Sequence, residues 1–400
     1  MPIFLWESIN SIRKKRGDVP VVSSAGITGF HNKPLIDSSG IIIGRKGTVG
    51  NVTLCDEPFG AIDTAFYILD DPEKRDLYFT YYLLKNLDFS AMNSDSAVPG
   101  LNRDHAHAMF VKVPSIKEQK KIASILKLFD TRIKLLQQTN TSLESIAQAL
   151  FKSWFIDFDP VHAKAEGREP EGMDAETAAL FPDSFEQSEW GLVPIGWSIG
   201  KLGNILYVRG GYAYKSNAFC EAGFPVVKIK NIVGDGTVDL QNTVYIDKDL
   251  ADKTSKFILQ DGDIVIAMTG ATIGKTGIIV TGNPQAPYLN QRVAKFESKL
   301  KNHCWLTYVA LQNEFISNQV VDIASGSAQA NISTGGIESI RLILPCHNEL
   351  IEFFNEAVEP LFLRWIGNQK KINTLIKLRD ALLPRLISGQ LIPDRVGEMV

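Results

Sequence analysis

Four hundred residues, 44% of them hydrophobic and 22% charged, have the make-up of a globular protein of two or three domains with material for real cores. No apolar run approaches the roughly 18 residues that a membrane-spanning helix needs, so a membrane span is excluded. The net charge of −3 is unevenly spread: residues 157–190 hold ten acids and two bases, which makes that stretch −8 and leaves +5 on the remainder, a balance compatible with nucleic acid without pointing to it.

The chain opens Met1-Pro2-Ile3-Phe4-Leu5-Trp6, with Arg13-Lys14-Lys15-Arg16 behind it. An export signal carries its charge before its apolar stretch, the reverse of this order. Cys55, Cys220, Cys304 and Cys346 are far apart and lack metal-ligand spacing. Free thiols in the cytoplasm are therefore expected. Residues 1–113 form a first module, in which short apolar runs at 19–22, 41–43, 66–69 and 110–113 are separated by Gly, Asn, Asp and Pro turns. That texture predicts strands and turns, with one short helix at 78–87.

Residues 114–156 predict a long amphipathic helix. Ile122, Ile125, Phe129, Ile133, Leu136, Asn140, Leu143, Ala147, Leu150 and Trp154 step by 3 or 4 throughout. The acidic, Pro-containing and non-periodic residues 157–190 predict a linker, partly ordered by Phe181, Phe185 and Trp190. Residues 191–345 form a second strand-rich module, with apolar runs at 226–229, 264–268, 277–280 and 293–296 and a helix near 305–312. Residues 346–400 carry a second long helix and a tail. Its seam runs through Phe354, Ala357, Leu361, Trp365, Asn368, Ile372, Leu375, Arg379, Leu382 and Leu386.

The chain thus says nearly the same thing twice. Ser96-Ala97-Val98-Pro99-Gly100-Leu101-Asn102 runs ungapped into Val111-Lys112-Val113-Pro114-Ser115 and a long helix. About 231 residues later, Ser327-Ala328-Gln329-Ala330-Asn331-Ile332-Ser333 runs into Leu342-Ile343-Leu344-Pro345-Cys346 and the second helix. A unit this long is a duplicated domain plus helix rather than a solenoid repeat. The irregular step at Ile125-Phe129-Ile133 recurs at Ala357-Leu361-Trp365. Matched irregularities are needed only if the two seams meet, which predicts an antiparallel coiled coil with Asn140 and Asn368 fixing register. The alternative is that each helix packs on its own module. The expected fold class is α+β: two β-rich domains joined by two long packed helices in a pseudo-two-fold repeat.

No catalytic motif holds up in both copies. Thr269-Gly270-Ala271-Thr272-Ile273-Gly274-Lys275-Thr276 comes near a phosphate loop, but that loop needs Gly first and must lead into a helix. Here a strand-like Gly277-Ile278-Ile279-Val280 follows, and the matching Gly44–Asn51 stretch has no Gly-Lys-Thr. The better reading is a Gly-rich hairpin that lets a ligand approach the backbone closely. Asn283-Pro284-Gln285-Ala286-Pro287-Tyr288 misses the Asn-Pro-Pro-aromatic signature of amino-methyltransferases. The histidines (His31, His105, His107, His162, His303 and His347) form no metal cluster; His105 and His107 share a face if that segment is a strand.

What recurs is a polar hairpin and a small-residue loop. The hairpin holds Arg45, Lys46 and Thr48 in the first module, and Thr269, Thr272 and Lys275 in the second. The loop holds Ser94, Asp95 and Ser96, or Ser325, Ser327 and Gln329. Hydroxyl and amide side chains beside Lys and Arg are the groups that read base edges and hold phosphates. Ordinary turn chemistry is the competing explanation for any one of them. Lys228, Lys230 and Asn231 join the candidates.

These features together resemble the specificity (S) subunit of type I restriction–modification enzymes. The matching words are Ile43-Gly44-Arg45-Lys46-Gly47-Thr48-Val49-Gly50-Asn51-Val52, Glu118-Gln119-Lys120-Lys121-Ile122-Ala123-Ser124-Ile125-Leu126, Ala149-Leu150-Phe151-Lys152-Ser153-Trp154-Phe155, Asp157-Phe158-Asp159-Pro160-Val161, Pro194-Ile195-Gly196-Trp197 and Leu382-Leu383-Pro384-Arg385-Leu386-Ile387-Ser388-Gly389. The resemblance covers nearly the whole chain. It implies a non-catalytic, cofactor-free subunit whose two target-recognition domains each read half of a split, asymmetric sequence in double-stranded DNA. The helices then space the half-sites, over roughly 48 Å from Ile122 to Trp154 at 1.5 Å per residue. Methyltransferase (M) subunits bind the helices and modules, and restriction/translocase (R) subunits join through them. One departure stands out: module two has 27 residues between Trp197 and Pro225, whereas only 19 precede Pro20, and residues 1–17 do not resemble 197–222. The first domain reads as N-terminally shortened. Gly26-Ile27-Thr28-Gly29-Phe30-His31 has no match in Lys230-Asn231-Ile232-Val233-Gly234-Asp235, so the modules are expected to read different bases. Two other readings compete. One is a coiled-coil scaffold binding protein partners, without salt-dependent DNA affinity; the other is a single-chain nuclease or methyltransferase, against which both failed motifs argue.

Overall fold

The computed structural model describes residues 4–5 (backbone alone), 17–87, 89, 100–282, 285–301, 303–324 and 330–393. The chain divides into two compact units, residues 1–134 with 375–400, and residues 135–374. Both long helices cross that division, so each unit contains a β-rich module and a length of both helices.

In the first unit, strands β1 (Phe4–Leu5), β2 (Val19–Ser23), β3 (Gly26–His31), β4 (Gly40–Gly44), β5 (Val52–Cys55), β6 (Gly60–Ala61) and β7 (Ala65–Leu69) precede helices α1 (Leu77–Lys85) and α2 (Arg103–His107). The long helix α3 (Ile116–Phe155) follows. The strands form an antiparallel sheet in the order β1-β7-β4-β5 and a smaller sheet β3-β2-β6. Strand β4 is buried on both faces: Ile41 and Ile43 pack with Phe66, Leu77 and Leu84, while Ile42 turns to Val22, Phe59 and Ala65. Alternation along a strand sends neighbours to opposite faces, so a continuous apolar run fits a strand covered on both sides. Helix α1 starts where the Asp76 carboxylate accepts from the Phe79 amide at 2.8 Å. Its Phe79, Tyr82 and Leu83 pack on Ile122, Ala123 and Leu126 of α3.

The second unit continues through α4 (Asp159–Ala165), α5 (Ala175–Ala179), β8 (Phe185–Ser188), β9 (Gly191–Pro194), β10 (Ser198–Lys201), α6 (Leu202–Ile205), β11 (Leu206–Gly210), β12 (Phe224–Val227), β13 (Gly236–Thr237) and β14 (Val244–Ile246). It then runs through α7 (Lys248–Lys253), β15 (Ile264–Ala267), β16 (Thr276–Ile278), β17 (Tyr288–Leu289), β18 (Val293–Ser298), α8 (Trp305–Ala310), α9 (Glu314–Ala324), α10 (Thr334–Glu338) and β19 (Arg341–Leu344), and ends in the long helix α11 (Glu349–Ile387). Its main sheet is β11-β18-β15-β16-β13, beside β14-β12-β17 and the pairs β10-β19 and β8-β9.

The duplication is visible strand by strand. Strands β4, β5 and β7 pair as β15, β16 and β18 do, β1 lies on β7 as β11 lies on β18, and β2 runs parallel to β6 as β12 runs parallel to β17. The helices repeat the pattern. In the first unit Leu383 and Leu386 share a core with Ile122 and Leu126; in the second, Phe151 and Trp154 share one with Phe354 and Val358. Within each unit the two helices run antiparallel. The Arg379 guanidinium donates to Asp130 at 2.6 Å in the first unit, and the Asn368 amide donates to the Asn140 side-chain oxygen at 2.9 Å in the second. The Asn140 amide reaches the Trp365 carbonyl at 3.4 Å. Phe129, Ile133, Leu136, Asn140, Trp365, Asn368 and Ile372 are buried, and Ile125, Leu143, Leu361 and Leu375 are half-buried. Ala357, placed on the seam by its spacing, is exposed, and Val358 beside it is buried instead.

Four sequence expectations are corrected. Residues 157–190 are not a draped linker: they form α4, α5 and β8, and Phe158, Val161 and Phe181 enter the second unit's core. Their acids are exposed, and the two helices are too short to show a period. His105 and His107 lie on α2, whose first turn is capped by the Asn102 side chain, not on a strand. Residues 110–113 pair with no strand among the described residues. Residues 279–280 lie beyond the end of β16.

Candidate nucleic-acid interface

The two hairpins that the sequence singles out join equivalent strands. In the first module, residues 45–51 connect β4 to β5; in the second, residues 268–275 connect β15 to β16. A strand, not a helix, follows Lys275, which removes the helix N-terminus that a phosphate loop requires. Gly47 and Gly50, and likewise Gly270 and Gly274, have φ between +76 and +80°, which side chains other than glycine rarely adopt. The tight turns therefore come from glycine, while Val49 and Ile273 between them pack against the module cores.

Each hairpin is tied to one particular partner segment. The Leu101 amide donates to the Arg45 carbonyl at 2.9 Å, and the equivalent Ile332 amide donates to the Met268 carbonyl at 2.9 Å. Lys46 bridges to Gly100, and Thr269 to Asn331. These partner segments follow directly on the small-residue loops of the repeat. The hairpin and the segment that follows that loop are thus brought together in both modules. Ser94, Asp95, Ser96, Ser325, Ser327 and Gln329 themselves lie outside the described residues, as do Asn283, Pro284 and the N-terminal basic run.

The side chains differ between copies. Lys46 and Thr48 are exposed, and the Arg45 guanidinium sits 5.8 Å from the centre of the Phe66 ring. In the second module the hydroxyls of Thr269 and Thr272 are shielded and have no hydrogen-bond partner among the described residues. Lys275 is exposed, and its ammonium donates to the Val233 carbonyl at 3.3 Å. Its stem lies across Gly234, where an added Cβ would come within 2.9 Å of it; glycine at 234 makes room for the lysine.

The larger difference lies beside the hairpin. In the first module β2 turns straight into β3 through Ser24 and Ala25. In the second, residues 228–243 intervene between β12 and its antiparallel partner β14. This insertion carries Lys228, Lys230 and Asn231. Lys230 is exposed; Lys228 is half-buried, with its ammonium 4.9 Å from the centre of the Phe219 ring. Asn231 is a correction. It is buried, its amide donates to the Asp239 and Asn242 carbonyls at 2.9 and 3.2 Å, and its oxygen accepts from the Lys228 amide at 2.9 Å. Every strong hydrogen-bonding site is committed to closing the loop, so no base edge can reach it. The exposed Ile27 and Phe30 of β3 were missed, since apolar side chains in a strand read as core.

Burial pushes the thiols of Cys55 and Cys304 up to about 12, and all four cysteines are free. No helix among the described residues is long and apolar enough to cross a membrane.

Comparison with known proteins bears directly on this arrangement. The family model described as type I restriction modification DNA specificity domain matches twice, at residues 7–145 and 194–375. The chain is 30% identical over 336 residues to the type I restriction enzyme MjaIX specificity subunit of Methanocaldococcus jannaschii, covering 80% of this chain and 70% of that protein. It is 28% identical over 349 residues to the HindI specificity subunit of Haemophilus influenzae, covering 75% and 73%. Among solved structures, the type I restriction–modification S subunit from M. genitalium superposes with a TM-score of 0.55 at 18% identity, covering 96% of this chain and 93% of that one.

Proposed function

The chain belongs to the type I restriction–modification DNA specificity family, and from that premise we propose how its residues divide the work of DNA recognition. Each module reads one half of a split, asymmetric target. The observation that carries this reading is the joining, in both copies, of a glycine-turned polar hairpin to the segment that follows a small-residue loop, beside a segment that differs between copies. Constant framework with variable flanks is what two readers of different half-sites need. Arg45, Lys46 and Thr48 in the first module, and Thr269, Thr272, Lys275, Lys228 and Lys230 in the second, supply the contacts, with Ser94, Ser96, Ser327 and Gln329 on the adjoining loops. The exposed ammonium groups suit phosphates. The unpartnered hydroxyls of Thr269 and Thr272 gain a hydrogen bond only when a ligand enters the turn.

Helices α3 and α11 act as a spacer, with the buried Asn140–Asn368 pair holding their register. Methylation and cleavage belong to partner methyltransferase and restriction subunits. The test is selection of this chain, bound to its methyltransferase subunit, on a randomised duplex library at two salt concentrations. A split motif with a fixed gap is expected. A single half-site would remove the first module from recognition, and absence of enrichment with the complex intact would overturn the reading in favour of a protein-binding scaffold.

A further inference from the structure

An arginine recurs at one place in the two modules, although it is carried by different residues. One step beyond the paired strands, the Arg45 amide donates to the Thr64 carbonyl at 2.8 Å, and the Met268 amide donates to the Arg292 carbonyl at 3.0 Å. The strand register agrees: Gly44 faces Ala65 as Ala267 faces Val293. Arg45 therefore corresponds to Met268, and Thr64 to Arg292. The first module carries its arginine at the start of the hairpin, and the second carries it on the strand opposite.

Burial accounts for the exchange. Met268 is buried in the second unit's core with Ile266 and Ala294, where a guanidinium would need a buried partner. In the first module the Arg45 guanidinium lies over Phe66, the residue whose place Ala294 takes, and the Thr64 hydroxyl accepts from the Ser24 amide at 3.4 Å. Facing residues of an antiparallel pair project to one side of the sheet, so either residue can deliver a guanidinium to the same rim. Arg292 lies where three segments of the second interface meet. Met268 opens the hairpin, the Asn290 amide donates to the Val227 carbonyl at the base of the insertion at 3.2 Å, and the Gln291 amide donates to the Tyr212 carbonyl at 2.9 Å. Arg292 is exposed, and its side chain makes no hydrogen bond or ion pair among the described residues. Cations further along the same strands are neutralised: Lys295 pairs with Asp263 at 3.3 Å, and Arg209 with Glu297 at 2.9 Å.

We infer that Arg292 is a phosphate-binding residue of the second module, supplying from the facing strand the contact that Arg45 supplies in the first. The inference rests on the reading of each module as a reader of one DNA half-site. Two modules that read different bases have the sugar–phosphate backbone in common, so a cation kept at one place in both serves a phosphate rather than a base edge. The planar fork of a guanidinium suits two phosphate oxygens at once.

The probe is a fluorescein-labelled duplex of mixed sequence, titrated with the full chain across a series of salt concentrations and followed by anisotropy. Arg292→Ala should weaken binding about tenfold and lower the salt slope by about one, and Arg45→Ala should do the same. Arg292→Lys should keep the parent slope, because it keeps the charge. Arg292 is exposed, so alanine empties no core, and an unchanged circular dichroism melt checks the fold. Library selection with Arg292→Ala, bound to the methyltransferase subunit, should return the parent motif. An unchanged slope in Arg292→Ala would overturn the assignment, and a lowered slope in Lys275→Ala beside it would leave the DNA reading standing. Loss of preference at a single base pair would also overturn it, by making Arg292 a base reader. Absence of salt-dependent binding by the parent chain would overturn the assignment and the DNA reading together.

Discussion

The first and second modules share a strand order but bury their exit segments differently. In the second, Trp197 lies 5.8 Å from Phe155 and 5.7 Å from Phe158, inside an aromatic cluster that also takes in Phe181 and Phe354. In the first, the corresponding residues 110–113 pair with no strand among the described residues, and Val111 and Val113 are exposed. The lesson is that a repeat fixes which contacts are available and not which are made: the same extended segment is core when a neighbouring strand covers it and surface when none does.

Substitutions can break this comparison in order of expected effect. Trp197→Ala should destabilise the second unit by about 3–5 kcal/mol, the usual cost of emptying a large buried ring site, whereas Val113→Ala should change the first unit by less than about 0.5 kcal/mol. Denaturant unfolding followed by tryptophan fluorescence reads the second unit well, because Trp154, Trp190, Trp197, Trp305 and Trp365 all lie in it. Equal effects at the two positions would erase the distinction drawn here.

The helix pair offers the next test. Asn368→Leu should cost about 2 kcal/mol, since it strands the buried Asn140 side chain. Adding Asn140→Leu should recover part of that loss, giving a coupling of about 1 kcal/mol in a double-mutant cycle. Strict additivity would mean that the pair contributes nothing jointly.

A pH dependence near neutrality arises in the second unit. Burial raises the Glu144 carboxyl from its ordinary 4.5 to about 7, against the opposing hydrogen bonds of Tyr308 and Trp365. Below pH 4.5 the group is protonated whether the chain is folded or not. Between 4.5 and 7 the unfolded chain ionises while the folded one keeps its proton, so stability falls as pH rises through that window. Glu144→Gln should therefore match the parent near pH 4 and exceed it by about 1–2 kcal/mol at pH 8, once partial solvent screening is allowed for. A parallel pH profile in the variant would exclude Glu144 as the cause.

The smallest effects compare the two hairpins. Lys46→Ala and Lys275→Ala should each lower the salt slope of DNA binding by about one if both ammonium groups neutralise a phosphate. A change in only one variant would show that the modules grip the backbone unequally.

Much of this arrangement was legible beforehand, and the reasons are local. The 3-and-4 spacing marked both long helices, because helical periodicity is written into consecutive residues. The glycine-bounded hairpins at 45–51 and 268–275 were legible because only glycine relieves positive φ. Asn231 was misplaced for the opposite reason: an Asn that closes a loop and an Asn that reads a base have the same neighbours in sequence. The acidic stretch 157–190 hid two helices, since each is too short to display a period and is held by Phe158, Val161 and Phe181 reaching a core assembled from distant residues.

The sequence by itself determined the duplication, the strand-rich character of each module, the two helices and the family to which they point. Tertiary structure alone decided which copy of a repeated segment is covered, which polar side chains are consumed by the fold, and that each hairpin meets the segment following its loop. Those outcomes depend on partners far away in the chain, and burial is a property of the pair rather than of either residue.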